Sequence, residues 1–325
     1  MLKTDVAALG EVLIDMTQSG ADSLGNGIFT AYPGGAPANV AVAAARLGAK
    51  SAFIGKVGND SFGRGLAEIL KKEGVGISGL YFCDEVPTTM ALVSVDPGGE
   101  RNFSFYRNPG ADTQLTEKEA LTSLEGEAFP KILHIGSLSM TTSPSREACL
   151  AAVRYAKEKG ILVSYDPNYR AALWDSEEHA VEMMKVLLPY ADILKVSDEE
   201  MKMLTGTEDF EEGSKALSQA GPSLVMITLG SKGVFLRCGE YAEVIPGFKV
   251  TVADTNGAGD TFLGAMLAQI AERNCSPVKT ERELLKSMAV YANRAAALTC
   301  SRPGAIPAMP FAGELGEFPG RDYGK

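Results

Sequence analysis

The sequence lacks the cysteine spacing of a zinc site or a redox centre. Its five cysteines are scattered over 325 residues and none forms a Cys-x-x-Cys pair, so we expect small, reduced and mostly buried thiols. Long apolar runs are also missing, and the first residues, Met-Leu-Lys-Thr-Asp, lead into a short strand instead of the apolar core of a signal peptide. These absences predict a cytoplasmic protein without a membrane partner.

Basic residues are scarce too. Lys and Arg number 31 against 41 Asp and Glu, the formal net charge is −10, and no basic run interrupts this acidic balance. Nucleic acid is therefore not expected as a partner. An acidic protein that binds phosphate groups must do so with backbone amides, a metal ion and a few well-placed cations. The two histidines have no metal or catalytic partners in the sequence, and we interpret both as structural.

Two common nucleotide-binding patterns are missing or misplaced. A P-loop would need a glycine five residues before Gly55 and a Ser or Thr at Val57, and the sequence has neither. Residues 74–79, Gly-Val-Gly-Ile-Ser-Gly, fit the dinucleotide fingerprint but follow a predicted helix and precede a predicted strand. Pyrophosphate binding requires the reverse order, which argues against a nicotinamide oxidoreductase. Any ATP site in this chain works without a Walker loop.

Residues 250–267 carry the strongest functional signal. The pattern predicts a strand, a glycine turn and a helix, because Gly257 and Gly259 permit a tight turn and apolar residues then recur at helical spacing. Amides that converge at a helix N-terminus form a site for a phosphate or a developing anion. Asp260 is either a helix cap or a base beside that anion. The crowding of Asp254, both glycines and Asp260 into seven residues favours the base.

Residues 254–260, Asp-Thr-Asn-Gly-Ala-Gly-Asp, resemble the C-terminal signature of the ribokinase/fructokinase (PfkB-type) carbohydrate kinases. A second signature of that family, Gly-Gly-Ala-Pro-Ala-Asn at 34–39, lies far upstream and is followed by Ala-Arg-Leu-Gly at 45–48. Two such motifs in the right order are a strong signal. The resemblance covers nearly the whole chain, to about residue 310, and a C-terminal tail at 311–325 lies outside it.

The chain pattern and the resemblance predict the same α/β fold. Strand and helix patterns alternate regularly from residue 131 to 228, which predicts a parallel sheet covered on both faces. We expect one domain at 1–310, a three-layer α/β/α sandwich with a mainly parallel central sheet, as in ribokinase-like proteins. The resemblance also implies a small β-sheet lid, built from segments near 12–33 and 88–110, through which a homodimer could form.

The resemblance assigns roles around the glycine turn and the sugar. The amides of Gly257, Ala258 and Gly259 would stabilise the transferred phosphoryl group, and Asp260 would accept the hydroxyl proton. Arg107 lies in Phe-Tyr-Arg-Asn-Pro at 105–109, a run that resembles the fructokinase branch. The residues implied for sugar binding are Asp15, Gly34, Gly35, Asn39, Arg107, Arg170 and Asp260.

The resemblance also implies nucleotide and metal sites. The residues implied for nucleotide binding are Ser197, Thr228, Gly230, Gly233, Gly257, Gly259 and Asn293. Glu200 occupies the Glu position of the family's Asn-x-x-Glu motif and would help to hold Mg²⁺ through water. Ser197 stands at the Asn position of that motif, and a capping box explains the Ser197 and Glu200 pair equally well. A monovalent cation, K⁺ in the simplest case, would bind near Asp254 and the loop at 300–305.

Together these features imply an ATP-dependent sugar kinase that phosphorylates a primary hydroxyl. The run at 105–109 favours fructose as substrate and fructose 6-phosphate as product. Ribose, 2-keto-3-deoxygluconate and aminoimidazole riboside are alternative substrates on the same fold. A non-catalytic sugar sensor would tolerate the loss of Asp260, so the presence of Asp260 argues against that alternative.

Overall fold

Strands and helices alternate along the chain. The structure, a computed structural model, describes residues 4–95, 101–274 and 277–316. The strands are β1 (Thr4–Leu9), β2 (Leu13–Ala21), β3 (Gly27–Gly34), β4 (Ser51–Gly58), β5 (Gly76–Cys83), β6 (Met90–Val95), β7 (Arg101–Tyr106), β8 (Pro130–Gly136), β9 (Leu162–Asp166), β10 (Ile193–Ser197), β11 (Leu224–Thr228), β12 (Gly233–Cys238) and β13 (Tyr241–Pro246). The α-helices are α1 (Ala36–Arg46), α2 (Ser61–Lys72), α3 (Glu117–Glu125), α4 (Ser145–Lys159), α5 (Glu177–Leu187), α6 (Asp198–Thr205), α7 (Phe210–Gln219), α8 (Ala258–Arg273), α9 (Arg282–Cys300) and α10 (Ala312–Leu315).

The central sheet has nine strands in the order β13-β12-β11-β10-β9-β8-β1-β4-β5. The strands from β11 to β5 in this order run parallel, and β12 and β13 add an antiparallel hairpin at one edge. β1 lies between β8 and β4, and its sequence Thr-Asp-Val-Ala-Ala-Leu is almost wholly buried. Such continuous apolar strands are typical of parallel sheets that are covered on both faces. The predicted mainly parallel sheet is confirmed.

Helices cover both faces of this sheet. Ile54 of β4 packs with buried residues of α3 and α4, whereas its neighbour Phe53 packs on the opposite side with residues of α1 and α2. Successive side chains of a strand point to opposite faces, so each parallel strand contributes to two cores. α5, α6 and α7 extend the first layer, and α8 and α9 extend the second. The three-layer α/β/α sandwich is confirmed.

A second, separate sheet has four strands in the order β3-β2-β6-β7. The strands come from the two segments that the sequence predicts for the lid, with β2 and β6 pairing in parallel and the outer strands antiparallel to them. The sequence Asp-Pro-Gly-Gly at 96–99 predicts a hairpin turn, and these residues lie outside the described part of the chain. We refer to this four-stranded sheet as the lid sheet.

The start of the predicted tail packs against the main domain. Leu315 of α10 is 1% exposed, and its carbonyl oxygen accepts a hydrogen bond from Nη1 of Arg294 on α9. Arg46 also lies over the ring of Phe311. Residues 311–316 are therefore part of the domain surface, and the rest of the tail lies outside the described residues. Among the described helices, none is both long and apolar enough to cross a membrane.

The carboxyl ends of the parallel strands meet at one edge of the sheet. β1 ends at Leu9, β8 at Gly136, β9 at Asp166, β10 at Ser197 and β11 at Thr228. Open α/β sheets bind ligands at this edge, in the crevice beyond the strand ends. The predicted site residues that follow these strands are thereby brought to one side of the molecule.

Candidate active site

Asp260 lies in the first turn of α8 and does not cap it. The N-cap position is occupied by Gly257, which has no side chain, and no side-chain hydrogen bond caps this helix. The Oδ2 atom of Asp260 instead accepts a hydrogen bond of 2.8 Å from Nδ2 of Asn39 on α1. Asp260 is 8% exposed, and burial raises the pKa of its carboxyl group. Of the two interpretations open from the sequence, the geometry favours the base.

The glycine turn before α8 is tightly enclosed. Gly257 has a φ of 73°, in the left-handed region that favours glycine, and a Cβ there would lie 3.0 Å from the Cβ of Ala305. A Cβ on Gly259 would lie 3.0 Å from Nζ of Lys195. The N–H of Ala258, the first residue of α8, donates to the backbone oxygen of Thr255 over 3.4 Å, and amides in the first helical turn, such as that of Gly259, have no intrahelical acceptor. The turn therefore presents backbone donors beside a lysine ammonium group.

Two cavities meet at Asp260. The first cavity is lined by Glu11, Asp15 and Asn39, and also by Phe105 of the lid sheet and Leu138. We call it the sugar-side cavity because the family resemblance implies Asp15 and Asn39 for sugar binding, and we call the second the phosphate-side cavity because it lies at the glycine turn. The phosphate-side cavity has a volume of about 410 Å³ and is lined by Lys195, Thr255 and Gly259. The residues that line both cavities are Asn168, Arg170, Asn256, Gly257 and Asp260.

Asp15 and the paired glycines shape the sugar-side cavity. A Cβ on Gly34 would overlap the carboxylate of Asp15, and a Cβ on Gly35 would lie 2.6 Å from the backbone oxygen of Glu11. Burial raises the pKa of Asp15 to about 6, and the charges of Asp260 and Asp254 add to that rise against the opposing charge of Arg170. The two glycines thus let a carboxyl group lie directly against the start of α1.

A buried ion pair that the sequence reasoning missed lies under the glycine turn. Nζ of Lys195 donates a hydrogen bond of 2.9 Å to Oδ2 of Asp166, and the two residues are 7% and 1% exposed. Burial raises the pKa of Asp166 to about 7, although the charge of Lys195 opposes this. The available signal was a lysine within the apolar strand Ile-Leu-Lys-Val-Ser, since a buried lysine needs a partner.

The two predicted sugar-binding arginines have different positions. Arg107 is 7% exposed, and its guanidinium group donates to Asp112, to Thr141 and to the backbone oxygen of Leu138. Arg107 therefore joins the end of β7 to the main domain, and its direct contact with a sugar stays a prediction that this geometry does not favour. Arg170 is exposed and lines both cavities. Its positive charge opposes the rise that burial causes in the pKa of Asp15 and of Asp260.

The predicted capping box at the start of α6 is present. Oγ of Ser197 accepts the N–H of Glu200 over 3.0 Å, and Oε2 of Glu200 accepts the N–H of Ser197 over 2.8 Å. Oε1 of Glu200 accepts the N–H of Tyr169 over 2.7 Å, which ties α6 to the segment after β9. Both residues therefore have structural roles, and their contacts with nucleotide or metal stay predictions.

The other predicted nucleotide residues lie towards the hairpin edge of the sheet. Thr228 ends β11, and its Oγ1 donates to the oxygen of Val196 over 3.2 Å. Gly230 and Gly233 have φ values of 57° and 102°, which shape the turn into β12. Nδ2 of Asn293 donates to the oxygens of residues 245 and 246, so this buried amide ties α9 to the end of β13. Nucleotide contact by these four residues stays a prediction.

Asp254 joins the glycine turn to the loop at 300–305. Its Oδ1 atom accepts the N–H of Asn256 over 2.9 Å, and its Oδ2 atom accepts the N–H of Gly304 over 3.0 Å. The carboxylate thus holds two loops together beside the amides of the turn. A bound cation at Asp254 stays a prediction.

Comparison with known proteins relates this geometry to a family. The sequence model of the pfkB family carbohydrate kinases matches residues 3–312. Fructokinase-2 of Solanum lycopersicum is 42% identical to this chain over 312 residues, which are 95% of this chain and 94% of that relative. Both comparisons extend across the lid sheet, the glycine turn and the central sheet.

Solved structures agree with the sequence comparison. Fructokinase from Xylella fastidiosa with bound ATP has a TM-score of 0.89 at 33% identity and covers 98% of each chain. A double-mutant fructokinase from Vibrio cholerae O395, in a form with fructose, ADP and potassium ion bound, has a TM-score of 0.86 at 34% identity. That match covers 97% of this chain and 98% of the other.

Proposed function

We propose that this protein, which belongs to the pfkB family of carbohydrate kinases, transfers the γ-phosphoryl group of ATP to the C6 hydroxyl of fructose. The products are fructose 6-phosphate and ADP. The observation that carries the proposal is the position of Asp260, where a cavity lined by sugar-binding polar groups meets a cavity lined by cations and amides. The similarity to fructokinases supports fructose over the other sugars.

Asp260 is the general base of this reaction. The C6 oxygen attacks the γ-phosphorus, the bond to the bridging oxygen of ADP breaks, and the hydroxyl proton passes to the carboxylate of Asp260. Burial raises the pKa of this carboxyl group, which makes it a better proton acceptor than an exposed aspartate. The hydrogen bond from Asn39 holds one carboxylate oxygen in place.

The groups around the phosphate-side cavity stabilise the transferred phosphoryl group. Phosphoryl transfer depends mainly on in-line positioning and on neutralising charge at the transferred oxygens. The amides of Gly257, Ala258 and Gly259 supply donors at a helix N-terminus. Lys195 and Arg170 supply positive charge, and Lys195 is held in position by its bond to Asp166.

Magnesium would bind together with ATP and would neutralise charge on its phosphates. Within the described residues, no three His, Cys, Asp or Glu side chains form a group that could hold a metal. ATP would therefore supply most of the ligands of the ion. Glu200 accepts two backbone hydrogen bonds and keeps lone pairs for a bound water, so it fits a water-mediated contact.

A monovalent cation at Asp254 is the second ion of the proposal. Asp254 bridges the glycine turn and the 300–305 loop, and its negative charge contributes to the raised pKa of the Cys300 thiol, which is due mainly to burial. A bound cation would balance this charge and hold both loops. Turnover measured in KCl and in a tetramethylammonium salt tests this, and equal rates would contradict it.

A coupled assay of ADP release tests the main proposal. The substrates are fructose, ribose, 2-keto-3-deoxygluconate and aminoimidazole riboside, each with saturating Mg-ATP. We expect the highest kcat/KM for fructose, with ³¹P NMR placing the phosphate on C6. A higher kcat/KM for another sugar would replace fructose in the proposal. Fructose binding by calorimetry without turnover of any sugar would favour a sensor.

We also propose a cytoplasmic homodimer that forms through the lid sheet. Leu24, Ile28 and Phe29 lie on or beside β2 and β3, and their exposures of 85%, 49% and 39% leave apolar side chains without cover. Sedimentation velocity at micromolar concentration tests the dimer. A monomer that is fully active would contradict the proposed dimer.

The proposed cytoplasmic location is tested by cell fractionation.

A further inference from the structure

Glu11 lines the sugar-side cavity and uses only half of its carboxyl group for structure. It lies between β1 and β2 and is 4% exposed. Its Oε1 atom accepts the N–H of Ala36, in the first turn of α1, over 3.1 Å. Its Oε2 atom is buried and has no hydrogen-bond partner among the described residues.

The unused Oε2 atom of Glu11 shares its cavity with a second buried atom that has no partner among the described residues, Oδ1 of Asn39. A buried polar atom without a partner is unfavourable, so native proteins keep few of them. The N-cap residue Asp60 of α2, by comparison, uses both oxygens: Oδ1 accepts the N–H of Gly63 and Oδ2 accepts the N–H of Thr88. Burial raises the pKa of Glu11 to about 7 against the opposing effect of its own backbone N–H, and the charge of Asp112 adds to that rise while the charge of Arg107 opposes it. A helix start needs neither the second oxygen nor this degree of burial.

We propose that Glu11 is a further sugar-binding residue, whose Oε2 atom accepts a hydrogen bond from a hydroxyl group of the sugar. This inference rests on the proposed function, because it requires a sugar in the cavity that Glu11 lines with Asp15 and Asn39. The bond to Ala36 fixes Oε1, and the rigid carboxyl group then fixes Oε2. Glu11 therefore selects for a hydroxyl at one position of the sugar, since a sugar without it leaves a buried acceptor unpaired.

The first test substitutes Glu11→Gln. The glutamine oxygen can still accept the N–H of Ala36, and its NH₂ group then replaces Oε2. The assay is run at about pH 8.5, where Glu11 is ionised because its pKa is about 7. Since hydrogen bonds to charged groups are stronger than those between neutral groups, we expect KM for fructose to rise about fivefold to tenfold, with KM for ATP unchanged. The control is Glu119→Gln, the same change in the capping box of α3, whose residue does not line the cavity. It should leave both KM values unchanged.

Deoxy analogues of fructose provide the decisive measurement. kcat/KM is determined for 1-deoxy-, 3-deoxy- and 4-deoxyfructose with the wild-type protein and with Glu11→Gln. We expect one analogue to lose most in the wild-type protein and to lose at least about threefold less in the variant, which is the coupling of a direct contact. Equal losses in both proteins for every analogue would overturn the proposal, because a structural role shifts all sugars alike.

Failure of this inference can be told apart from failure of the proposed function. If the wild-type protein phosphorylates another sugar of the panel and not fructose, the fructose assignment is wrong, and deoxy analogues of that sugar then test Glu11. If fructose is the substrate and no analogue shows coupling, only the Glu11 proposal is wrong. If Glu11→Gln is unfolded at the assay temperature, Glu11→Asp replaces it. The analogue that loses most kcat/KM in the wild-type protein must then lose less in Glu11→Asp.

Discussion

Asn39 and Asp260 are joined by a hydrogen bond of 2.8 Å although 221 residues separate them. The bond depends on the close approach of α1 to α8, where a Cβ on Gly264 would lie only 2.6 Å from the Cβ of Ala43. The alanine-rich sequence of α1 and this glycine let the two helices touch. The bond therefore connects the two sequence signatures directly and holds one oxygen of the Asp260 carboxylate in place.

The base assignment predicts a large loss of turnover in Asp260→Asn. The asparagine is nearly isosteric and can still accept the hydrogen bond from Asn39, but it cannot take a proton. A positioned general base contributes about 10²–10⁴-fold, or about 2.7–5.4 kcal/mol of barrier. kcat is measured with saturating fructose and Mg-ATP, and a melting curve confirms folding. A loss below about tenfold in a folded variant would mean that Asp260 is not the base.

The contact between Asn39 and Asp260 predicts a shift in the pH profile of Asn39→Asp. The asparagine amide lowers the pKa of Asp260 by donating to it, whereas an aspartate there removes the donor and adds a like charge. The carboxyl pair then titrates with a raised apparent pKa. Because the base must be ionised, the acidic limb of the kcat profile should move to higher pH.

The same variant separates electrostatics from damage to the fold. If the effect is electrostatic, turnover of Asn39→Asp recovers towards the wild-type value as the pH rises. A uniform loss at every pH, with the acidic limb unmoved, would contradict the proposed influence of Asn39 on the base.

The packing of Lys195 under the glycine turn predicts the effect of Gly259→Ala. Alanine in a helix is more favourable than glycine by about 0.5–1 kcal/mol, so folding should not suffer. The new methyl group would lie 3.0 Å from Nζ of Lys195 and must displace the ammonium group by a few tenths of an ångström. We expect kcat to fall severalfold, to about tenfold, because small misplacements at reacting groups are costly.

Gly65→Ala in α2 is the matched control for Gly259→Ala. A Cβ on Gly65 meets no atom within 4 Å, so this change should raise the melting temperature slightly and leave kcat unchanged. If Gly259→Ala also kept full activity, close packing of Lys195 against the turn would have no part in catalysis.

The positions of the two arginines predict different effects for their alanine variants. Arg170 lines both cavities, so Arg170→Ala should lower kcat/KM for fructose about tenfold to 100-fold with little change in stability.

Arg107→Ala leaves Asp112 as a buried, unpaired charge and should lower the free energy of unfolding by about 3–5 kcal/mol. It should also raise KM for fructose more than KM for ATP, because the lid sheet loses its link to Leu138. An effect of Arg107→Ala on KM for fructose without any loss of stability would instead indicate direct contact with the sugar.

Much of the architecture could be predicted from the sequence because periodicity encodes local structure and burial. The alternation from residue 131 to 228 predicted strands and helices that agree with β8 to β11 and with α4 to α7. The lid sheet was expected from the family resemblance, which implied strands in the segments near 12–33 and 88–110. The glycine turn before α8 was expected because glycine permits a tight turn, and Gly257 needs this freedom at a φ of 73°, whereas Gly259 lies within α8. The strand predicted just before this turn was wrong, because residues 247–254 form no strand.

Contacts between distant side chains were decided only by the tertiary structure. In the sequence, Lys195 is a single charge within an apolar strand. In the structure, Asp166 at the end of the neighbouring strand β9 lies 2.9 Å from its Nζ atom. The run at 105–109 favoured Arg107 as a sugar-binding residue, yet its guanidinium group donates to Asp112 and Thr141, and Arg170 lines both cavities. Sequence patterns determine which backbone forms and which face is buried. The partner of a buried polar group depends on distances of a few ångströms between separate elements, and those distances exist only after the helices pack on the sheet.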